Sequence, residues 1–386
     1  MTATALVAAD LVLGRKGMLA ADESGPTMDA RLRRAGVAPG PESRRAYREM
    51  LVTTRGLSLG ISGVILDDET FRQRLADGRS FPGALADRGL LPGIRVDTGA
   101  RPLAGAPGET VTEGLDGLRA RLSVYAALGA RFATWRAVLP IGDGRPSWRA
   151  LRANAYALAH YALACQEEGV VPVVEVLTEG AHGPTRGREV TSAVLMITVA
   201  ELQDMGVALG GVVLKQSMVL PGADGPEVAA PEIVAQQTLA ALWCVVPEEV
   251  AGVAFLSGGQ SPVRATANLA ALRRPGPPWP VTFSFSRALT DPALAAGHGD
   301  PACAAAGQRA PANRVACNVA ALQGSYTAVL EPSYVLAQTG VPRITLAGPD
   351  DLHGATSGRA PCWPASSGFD FDRVAHRDRA GSTVEP

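Results

Sequence analysis

The chain has 386 residues, of which 47% are hydrophobic and 19% are charged, and its formal net charge at pH 7 is -1. This composition predicts a folded protein with a sizeable core and excludes a globally disordered chain. The near-zero net charge argues against a general affinity for nucleic acid or for an anionic membrane. No apolar run reaches the roughly 20 residues that a membrane-spanning helix needs.

Short β-rich apolar runs alternate along the chain with longer segments of helical period. The N-terminal stretch MTATALVAADLVL lacks a basic n-region, so it predicts a first helix rather than a signal peptide. In the later helical segments apolar residues recur at i, i+3 and i+4. The predicted strands are Gly17–Asp22, Ile61–Leu66, Leu91–Asp97, Phe132–Leu139, Val171–Val176, Gly211–Val219, Val250–Ser257 and Val281–Phe285. The predicted helices are Glu42–Thr54, Glu113–Leu128, Trp148–Glu168, Arg188–Met205, Pro231–Val245 and Pro262–Arg273.

Eight strands that alternate with helices predict an α/β fold, a parallel (β/α)8 TIM barrel, over residues 1–330. A doubly wound sheet is the main rival. It would carry a G-x-G-x-x-G phosphate loop after the first strand, and the sequence has none there. Residues 331–386 are rich in Pro, Gly and Ser and have little periodicity. They predict a C-terminal tail that is irregular or partly disordered, or that lies over the barrel.

The cysteines and histidines show no metal-ligand spacing. No C-x-x-C pair is present, and the odd number of cysteines predicts reduced, mostly structural thiols and a cytoplasmic location. The histidines are equally scattered, so a zinc-dependent mechanism has no support. We therefore expect no metal and no cofactor. The residues concerned are Cys165, Cys244, Cys303, Cys317, Cys362, His160, His182, His298, His353 and His376.

Lysine is almost absent from this chain. Of 36 basic residues only Lys16 and Lys215 are lysines, so arginine stands nearly everywhere that a positive charge suffices. Biased coding of the gene could produce this pattern without selection. A lysine amine can attack a carbonyl carbon and form an imine, whereas a guanidinium cannot. The two lysines are therefore candidates for chemistry that arginine cannot perform.

Lys215 lies in the aliphatic run GGVVLKQSMVL, and two carboxylates end other predicted strands. Glu175 lies in VVPVVEVL and Asp22 in GMLAADES. Catalytic groups of a barrel lie at the C-terminal ends of its strands, so these three side chains predict a Schiff-base site with two carboxylates for proton transfer. The structural alternatives are a lysine that reaches solvent or forms an ion pair, and carboxylates that pair with nearby arginines.

The segment LSGGQ, residues 256–260, is also the signature string of ABC-transporter ATPases. Those proteins need a Walker A motif with a lysine, and this chain has none. The other interpretation is a glycine-rich turn that presents backbone N–H groups of Ser257 and Gly258 to a phosphate. Arg287, after the next strand, would supply the counter-charge.

Over about residues 12–326 the sequence resembles class I fructose-1,6-bisphosphate aldolases. The resemblance rests on many colinear blocks and not on one motif. The blocks are GRKGMLAADES, ESRRAYREML, ISGVIL, DGRSFP, PGIRVDTG, PLAGAPGET, TEGLDGL, ARFATWRAVL, CQEEGVVPVVE, VVLKQSM, GVAFLSGGQS, TFSFSRAL and ALQGSY.

The resemblance implies a role for each matching position. Lys215 matches the Schiff-base lysine, Glu175 the glutamate that assists imine formation, and Asp22 the aspartate that handles the C4-hydroxyl proton. Other positions match groups near the two substrate phosphates or elsewhere in the active site. Ser257, Gly258, Arg287 and Arg31 match groups that hold the C1-phosphate of dihydroxyacetone phosphate, Ser24 and Thr27 match hydroxyls near the other phosphate, and Arg136 matches an active-site arginine.

The departures from the family pattern lie mainly at the aldehyde end. The family has lysine where this chain has Arg95 and Thr134, glutamate where it has Leu177, and glycine where it has Ser286. The family's C-terminal tyrosine also has no counterpart, because no tyrosine follows Tyr334. Threonine carries no charge. If the family's lysine at position 134 takes part in cleavage, its replacement by threonine would lower the rate roughly 10²–10⁴-fold, the usual contribution of one acid–base group.

These features predict a class I aldolase that joins dihydroxyacetone phosphate, or a close ketone, to an aldehyde other than glyceraldehyde 3-phosphate, in specialised metabolism. The alternatives are ordinary fructose-bisphosphate cleavage in glycolysis and a degenerate barrel that serves as a binding or scaffold protein. The expected partner is a phosphorylated sugar or ketone, with no nucleic acid and no membrane. The resemblance also implies a homotetramer.

Overall fold

The structure, a computed structural model, describes residues 2–180, 182–221, 229–273, 276–297 and 303–331. These residues contain ten strands, of which eight close into a barrel and two form a hairpin. The barrel strands are β1 (Gly17–Ala21), β2 (Ile61–Leu66), β3 (Leu91–Arg95), β6 (Phe132–Ile141), β7 (Val171–Gly180), β8 (Val213–Ser217), β9 (Gly252–Leu256) and β10 (Val281–Phe285). The hairpin strands are β4 (Gly99–Pro102) and β5 (Thr110–Glu113).

The eight barrel strands run in the order β1-β10-β9-β8-β7-β6-β3-β2, and every neighbouring pair is parallel. Each of the eight predicted strands is one of these barrel strands. The predicted parallel (β/α)8 barrel is therefore confirmed, and the doubly wound sheet is excluded.

Within the described ranges, twelve α-helices accompany the strands. The first confirms the N-terminal helix that the sequence predicts. The helices are α1 (Ala3–Val12), α2 (Gly25–Arg34), α3 (Pro41–Val52), α4 (Asp68–Arg72), α5 (Phe81–Ala86), α6 (Leu118–Ala127), α7 (Trp148–Glu167), α8 (Pro184–Asp204), α9 (Pro231–Trp243), α10 (Pro262–Leu272), α11 (Arg287–Gly297) and α12 (Ala304–Gln323). Short 3-10 turns cover Leu57–Leu59, Leu209–Gly211 and Ala328–Leu330.

Alternation along the strands divides the core into two layers. On β6, Ala133 and Trp135 pack in the large outer cluster between barrel and helices, whereas Phe132 packs in a smaller inner cluster. That inner cluster also contains Leu11 of α1. The Ser62 hydroxyl donates to the Leu11 carbonyl oxygen at 2.7 Å. Helix α1 therefore closes the N-terminal end of the barrel and leaves the opposite end for the site.

The predicted helix Glu113–Leu128 is wrong in its first part. Residues Thr110–Glu113 instead form β5, which pairs antiparallel with β4, and the helix begins at Leu118. Gly114 and Gly117 have φ angles of 129° and 65°, which a continuous right-handed helix does not allow. The glycines therefore separate a strand from a helix within one apolar stretch.

The other differences from the predicted elements are longer strands, additional helices and one earlier helix start. β6 and β7 continue past their predicted ends and pair as far as Ile141 and Gly180. Helices α2, α4, α5, α11 and α12 were not predicted from the sequence, and α4 and α5 are only five and six residues long. The predicted Arg188–Met205 helix begins earlier, at Pro184.

The predicted tail falls almost wholly outside the described residues. Glu331, its first residue, is buried and forms an ion pair with Arg314 of α12. Four of the five cysteines are described, none of the four forms a disulfide, and Cys362 lies beyond the described ranges. In the described parts of the chain, no helix combines the length and apolar character needed to cross a bilayer.

Candidate active site

The barrel register places three charged residues at one level. Arg136 on β6 is the register partner of Glu175 on β7, and Glu175 is the register partner of Lys215 on β8. Because side chains alternate between the two faces of a strand, this register puts all three side chains inside the barrel. Three residues that lie far apart in the sequence thus form one row.

Direct contacts join the members of this row. Lys215 Nζ lies 2.9 Å from Glu175 Oε2, and each side chain is only 2% exposed. Arg136 Nε donates to the other carboxylate oxygen, Glu175 Oε1, at 2.6 Å. Burial by itself would raise the pKa of Glu175, but the positive charges of Arg136 and Lys215 outweigh it and hold that pKa well below its usual range. Glu175 is therefore ionised at neutral pH.

Two further carboxylates, Asp22 and Asp97, lie near this row. Asp22 follows β1 and is 4% exposed. Among the described residues, none forms a hydrogen bond or an ion pair with its carboxylate. Burial raises the pKa of Asp97, against the opposing charges of Arg95 and Arg136. The site therefore contains carboxylates in different electrostatic settings, as acid–base chemistry requires.

A cavity of about 720 Å³ opens at this end of the barrel. It is large enough for a sugar phosphate, since small-molecule sites range from about 300 to 1,000 Å³. Eleven of the twelve residues that the sequence analysis assigns to the site line this cavity. They are Asp22, Ser24, Thr27, Arg31, Arg95, Arg136, Glu175, Lys215, Ser257, Gly258 and Arg287.

Thr134 is the predicted site residue that does not line the cavity. It lies two residues before Arg136 on β6, so its side chain is on the same face but one layer deeper. Only 1% of it is exposed. Any substrate contact by Thr134 would need a side chain that reaches upward from this layer, and threonine is too short.

The turn after β9 and the start of α11 form one wall of the cavity. Gly258 and Gly259 have φ angles of 54° and 79°, a left-handed conformation that glycine adopts without strain. A Cβ atom at Gly259 would lie 3.8 Å from an Nη atom of Arg287, so the arginine extends along this turn. Backbone N–H groups, a helix start and a guanidinium together suit an anion.

Arg31 is not a free cation in this structure. Its guanidinium pairs with Glu23, and Nη2 donates to Asp291 at 2.7 Å. Ser286 Oγ donates to the same Glu23 carboxylate at 3.0 Å. Glu23 thus accepts hydrogen bonds from the Ser286 hydroxyl and the Arg31 guanidinium, and a bound anion would need these same donors.

The remaining predicted ligands, Ser24, Thr27 and Arg95, also line the cavity. Ser24 Oγ and Thr27 Oγ1, at the start of α2, are 2.9 Å apart. Arg95 ends β3, and no described group accepts a hydrogen bond from its buried Nε atom. An anion between these groups would meet two hydroxyls and a guanidinium.

Several residues that line the cavity escaped sequence analysis. Glu179 and His182 line it because β7 runs four residues beyond its predicted end. Ser217 lines it two residues after Lys215, and its hydroxyl accepts from the Thr178 backbone N–H at 3.2 Å. The spacing of two from Lys215 on one strand is a signal that could have identified Ser217.

A metal site was not expected from the sequence. Within the described ranges, no group of three or more His, Cys, Asp and Glu side chains is arranged to hold a metal ion.

Comparison with known proteins points to the family that the sequence resembles. The family model for "Fructose-bisphosphate aldolase class-I" matches residues 4–339. A probable fructose-bisphosphate aldolase class 1 from Xylella fastidiosa is 50% identical over 287 residues, which cover 74% of this chain and 86% of the relative. The cytoplasmic isozyme 2 of fructose-bisphosphate aldolase from Pisum sativum is 46% identical over 316 residues, covering 81% and 88%.

A solved structure of fructose-bisphosphate aldolase from Plasmodium falciparum superposes with a TM-score of 0.83 at 37% identity. The match covers 84% of this chain and 95% of that one. These relatives favour ordinary fructose-bisphosphate aldolase activity over the specialised reaction that the altered residues suggested. The chain belongs to the class I fructose-bisphosphate aldolase family.

Proposed function

We propose that this protein cleaves and forms fructose 1,6-bisphosphate through an imine on Lys215. The observation that carries the proposal is the position of this lysine. It is one of two in the chain, it is 2% exposed at the mouth of a barrel, and its Nζ lies 2.9 Å from Glu175 Oε2. A scaffold protein would gain nothing from a buried lysine, because burying a charged group is costly.

The contacts suggest a division of roles. The Lys215 ammonium first gives a proton to Glu175, and the resulting neutral amine adds to the ketone carbon. Glu175 then returns that proton to the carbinolamine hydroxyl, water leaves, and the protonated imine forms. Asp22 then takes the C4-hydroxyl proton while the C3–C4 bond breaks and its electron pair moves into the imine. The aldehyde leaves, and protonation and hydrolysis of the remaining enamine release dihydroxyacetone phosphate. The protonated imine accepts the electron pair of the broken bond and no net oxidation occurs, so this path needs neither a metal electrophile nor a redox cofactor.

Two groups of residues that line the cavity would hold the two phosphates. Ser257, Gly258, Arg287 and Arg31 suit the phosphate near the imine. Ser24, Thr27 and Arg95 suit the other one. The proposal extends to a cytoplasmic protein, as in the pea relative's name, and to a homotetramer by analogy with the family.

Borohydride trapping tests this function. The protein is incubated with dihydroxyacetone phosphate, reduced, and analysed by intact and peptide mass spectrometry, while fructose-bisphosphate cleavage is measured in parallel. We expect one reduced adduct on Lys215 and measurable cleavage. A folded protein with no adduct on Lys215 would exclude dihydroxyacetone phosphate as the donor.

A second candidate reaction uses a different acceptor aldehyde. The observation in its favour is Thr134, a buried uncharged residue at a position where the family has lysine. Comparing cleavage of fructose bisphosphate with aldol additions of dihydroxyacetone phosphate to varied aldehydes separates the two candidates. If addition to an aldehyde without a phosphate were faster than turnover of fructose bisphosphate, the reaction with a different acceptor aldehyde would be favoured.

The variant Thr134→Lys should raise the rate of fructose-bisphosphate cleavage by about tenfold or more, since one acid–base or charge-stabilising group is worth roughly 10²–10⁴. The longer side chain reaches from the lower layer toward Glu175 and Asp22. Steady-state kinetics with fructose bisphosphate measure the change, and Thr134→Met controls for added bulk without charge. An equal effect of the two substitutions would show that charge at this position has no role.

A further inference from the structure

Arg48 on α3 is a fully buried arginine that lies behind the active site. Its exposure is 0%, and its guanidinium does not line the cavity. Arg48 Nε donates to the Ala21 carbonyl oxygen at 2.9 Å, and Nη2 donates to the Glu23 carbonyl oxygen at 2.6 Å. These two carbonyls belong to the residues immediately before and after Asp22.

Like Glu175, the Asp22 carboxylate is near enough to Arg136 to raise the pKa of that guanidinium, but it has no direct bond to a described residue. No described residue forms a hydrogen bond or an ion pair with it, and it lies just beyond the last residue of β1, where the strand pairing with β2 ends at Ala21. The position of this carboxylate therefore depends on its backbone. The planar guanidinium of Arg48 fixes that backbone on both sides, because its donors are held in a rigid fork.

Other contacts keep the guanidinium in place. Arg48 Nε lies 3.8 Å from Asp67 Oδ1, and Asp67 itself caps helix α4 by accepting from the Thr70 backbone N–H. The third nitrogen, Nη1, is buried and meets no acceptor among the described groups. The charge of Glu69 also acts on Arg48, yet the direct hydrogen bonds of the guanidinium go to backbone carbonyl oxygens and not to a carboxylate.

We propose that Arg48 is the positioning residue for Asp22, and that it acts in C–C bond cleavage but not in imine formation. The inference rests on the proposed function of Asp22. Imine formation from dihydroxyacetone phosphate involves Lys215 on β8 and Glu175 on β7. Neither residue forms a hydrogen bond or an ion pair with Arg48. Cleavage needs the Asp22 carboxylate at the C4 hydroxyl, and a displacement of about 1 Å in such a group can lower a rate 10²-fold.

The variants Arg48→Lys and Arg48→Met test the proposal. We expect kcat for fructose-bisphosphate cleavage to fall about tenfold in Arg48→Lys and about 100-fold in Arg48→Met, with KM nearly unchanged. The fraction of Lys215 trapped by borohydride with dihydroxyacetone phosphate should stay at the wild-type level. If Arg48→Met does not fold, Arg48→Lys decides alone.

Arg44→Lys is the matched control. Arg44 lies one turn earlier on α3 and bonds to the side chains of Glu69 and Asp29, away from the end of β1. Its substitution should leave the ratio of cleavage to trapping unchanged. A double-variant cycle adds a second readout, because Arg48→Lys should lower kcat little further when Asp22→Asn is already present.

Three results would overturn the proposal. Trapping and cleavage could fall by the same factor in Arg48→Lys, or cleavage could stay at the wild-type rate, or the effects of Asp22→Asn and Arg48→Lys could be fully additive. Failure of the proposed function looks different, since wild-type protein would then give no adduct on Lys215.

Discussion

Replacing Lys215 with methionine should abolish both borohydride trapping and fructose-bisphosphate cleavage. We expect kcat to fall on the order of 10⁴-fold or more, because loss of the covalent nucleophile removes the whole reaction path and not one contact. Methionine nearly preserves the volume of the lysine side chain, and Glu175 keeps its bond to Arg136. The variant should therefore fold, as circular dichroism and thermal unfolding would show.

The near absence of lysine provides an unusually clean control for this experiment. Lys16 is the other lysine of the chain, and its side chain does not line the cavity. Lys16→Met should keep both trapping and cleavage. If Lys215→Met retained cleavage, or if the adduct formed on Lys16 in the wild type, the imine mechanism on Lys215 would be wrong.

The variant Glu175→Gln should have the second largest effect. It keeps the size of the side chain but removes the carboxylate that contacts both Lys215 and Arg136. We expect cleavage to fall roughly 10²–10⁴-fold, as for the loss of one acid–base group. Removing one partner of a buried ion pair also destabilises a protein by about 3–5 kcal/mol. Kinetics and urea unfolding at neutral pH measure the two effects.

The pH dependence of stability provides a further readout for Glu175. Its folded-state pKa lies below the ordinary value of 4.5, so the unfolded state binds the proton more readily. The stabilising contribution is complete above pH 4.5 and is lost as the pH falls toward the folded-state pKa. Wild type should therefore lose stability relative to Glu175→Gln as the pH falls from 4.5 toward about 2. If the difference in free energy of unfolding between the two proteins did not change with pH, the ion pairs of Glu175 with Lys215 and Arg136 would be contradicted.

The sequence by itself determined the fold and most of the candidate site. Eight β-rich runs with helices between them gave the strand count, because strands buried on both faces read as continuous apolar segments. Lys215 and Glu175 stood out because charged residues interrupt such segments. Asp22, Ser257 and Arg287 followed from the rule that functional groups lie at strand ends.

The local sequence pattern could not predict where each element begins and ends, or how deep a side chain lies in the barrel. The apolar period does not separate β5 from α6, and only the left-handed backbone at Gly114 and Gly117 does so. Likewise, Thr134 and Arg136 share one face of β6. The structure alone shows that the first is buried one layer below the cavity and that the second lines it.

The tertiary structure also decides which groups the charged side chains bond to. The sequence predicts Arg31 as a phosphate ligand, but folding brings it against Glu23 and Asp291. Arg48 carries no sequence signal of its role, because its bonds go to backbone carbonyls 27 and 25 residues away. Strand register and helix packing set these contacts. A sequence pattern shows which side chains face inward, and only the closed barrel shows which of them meet.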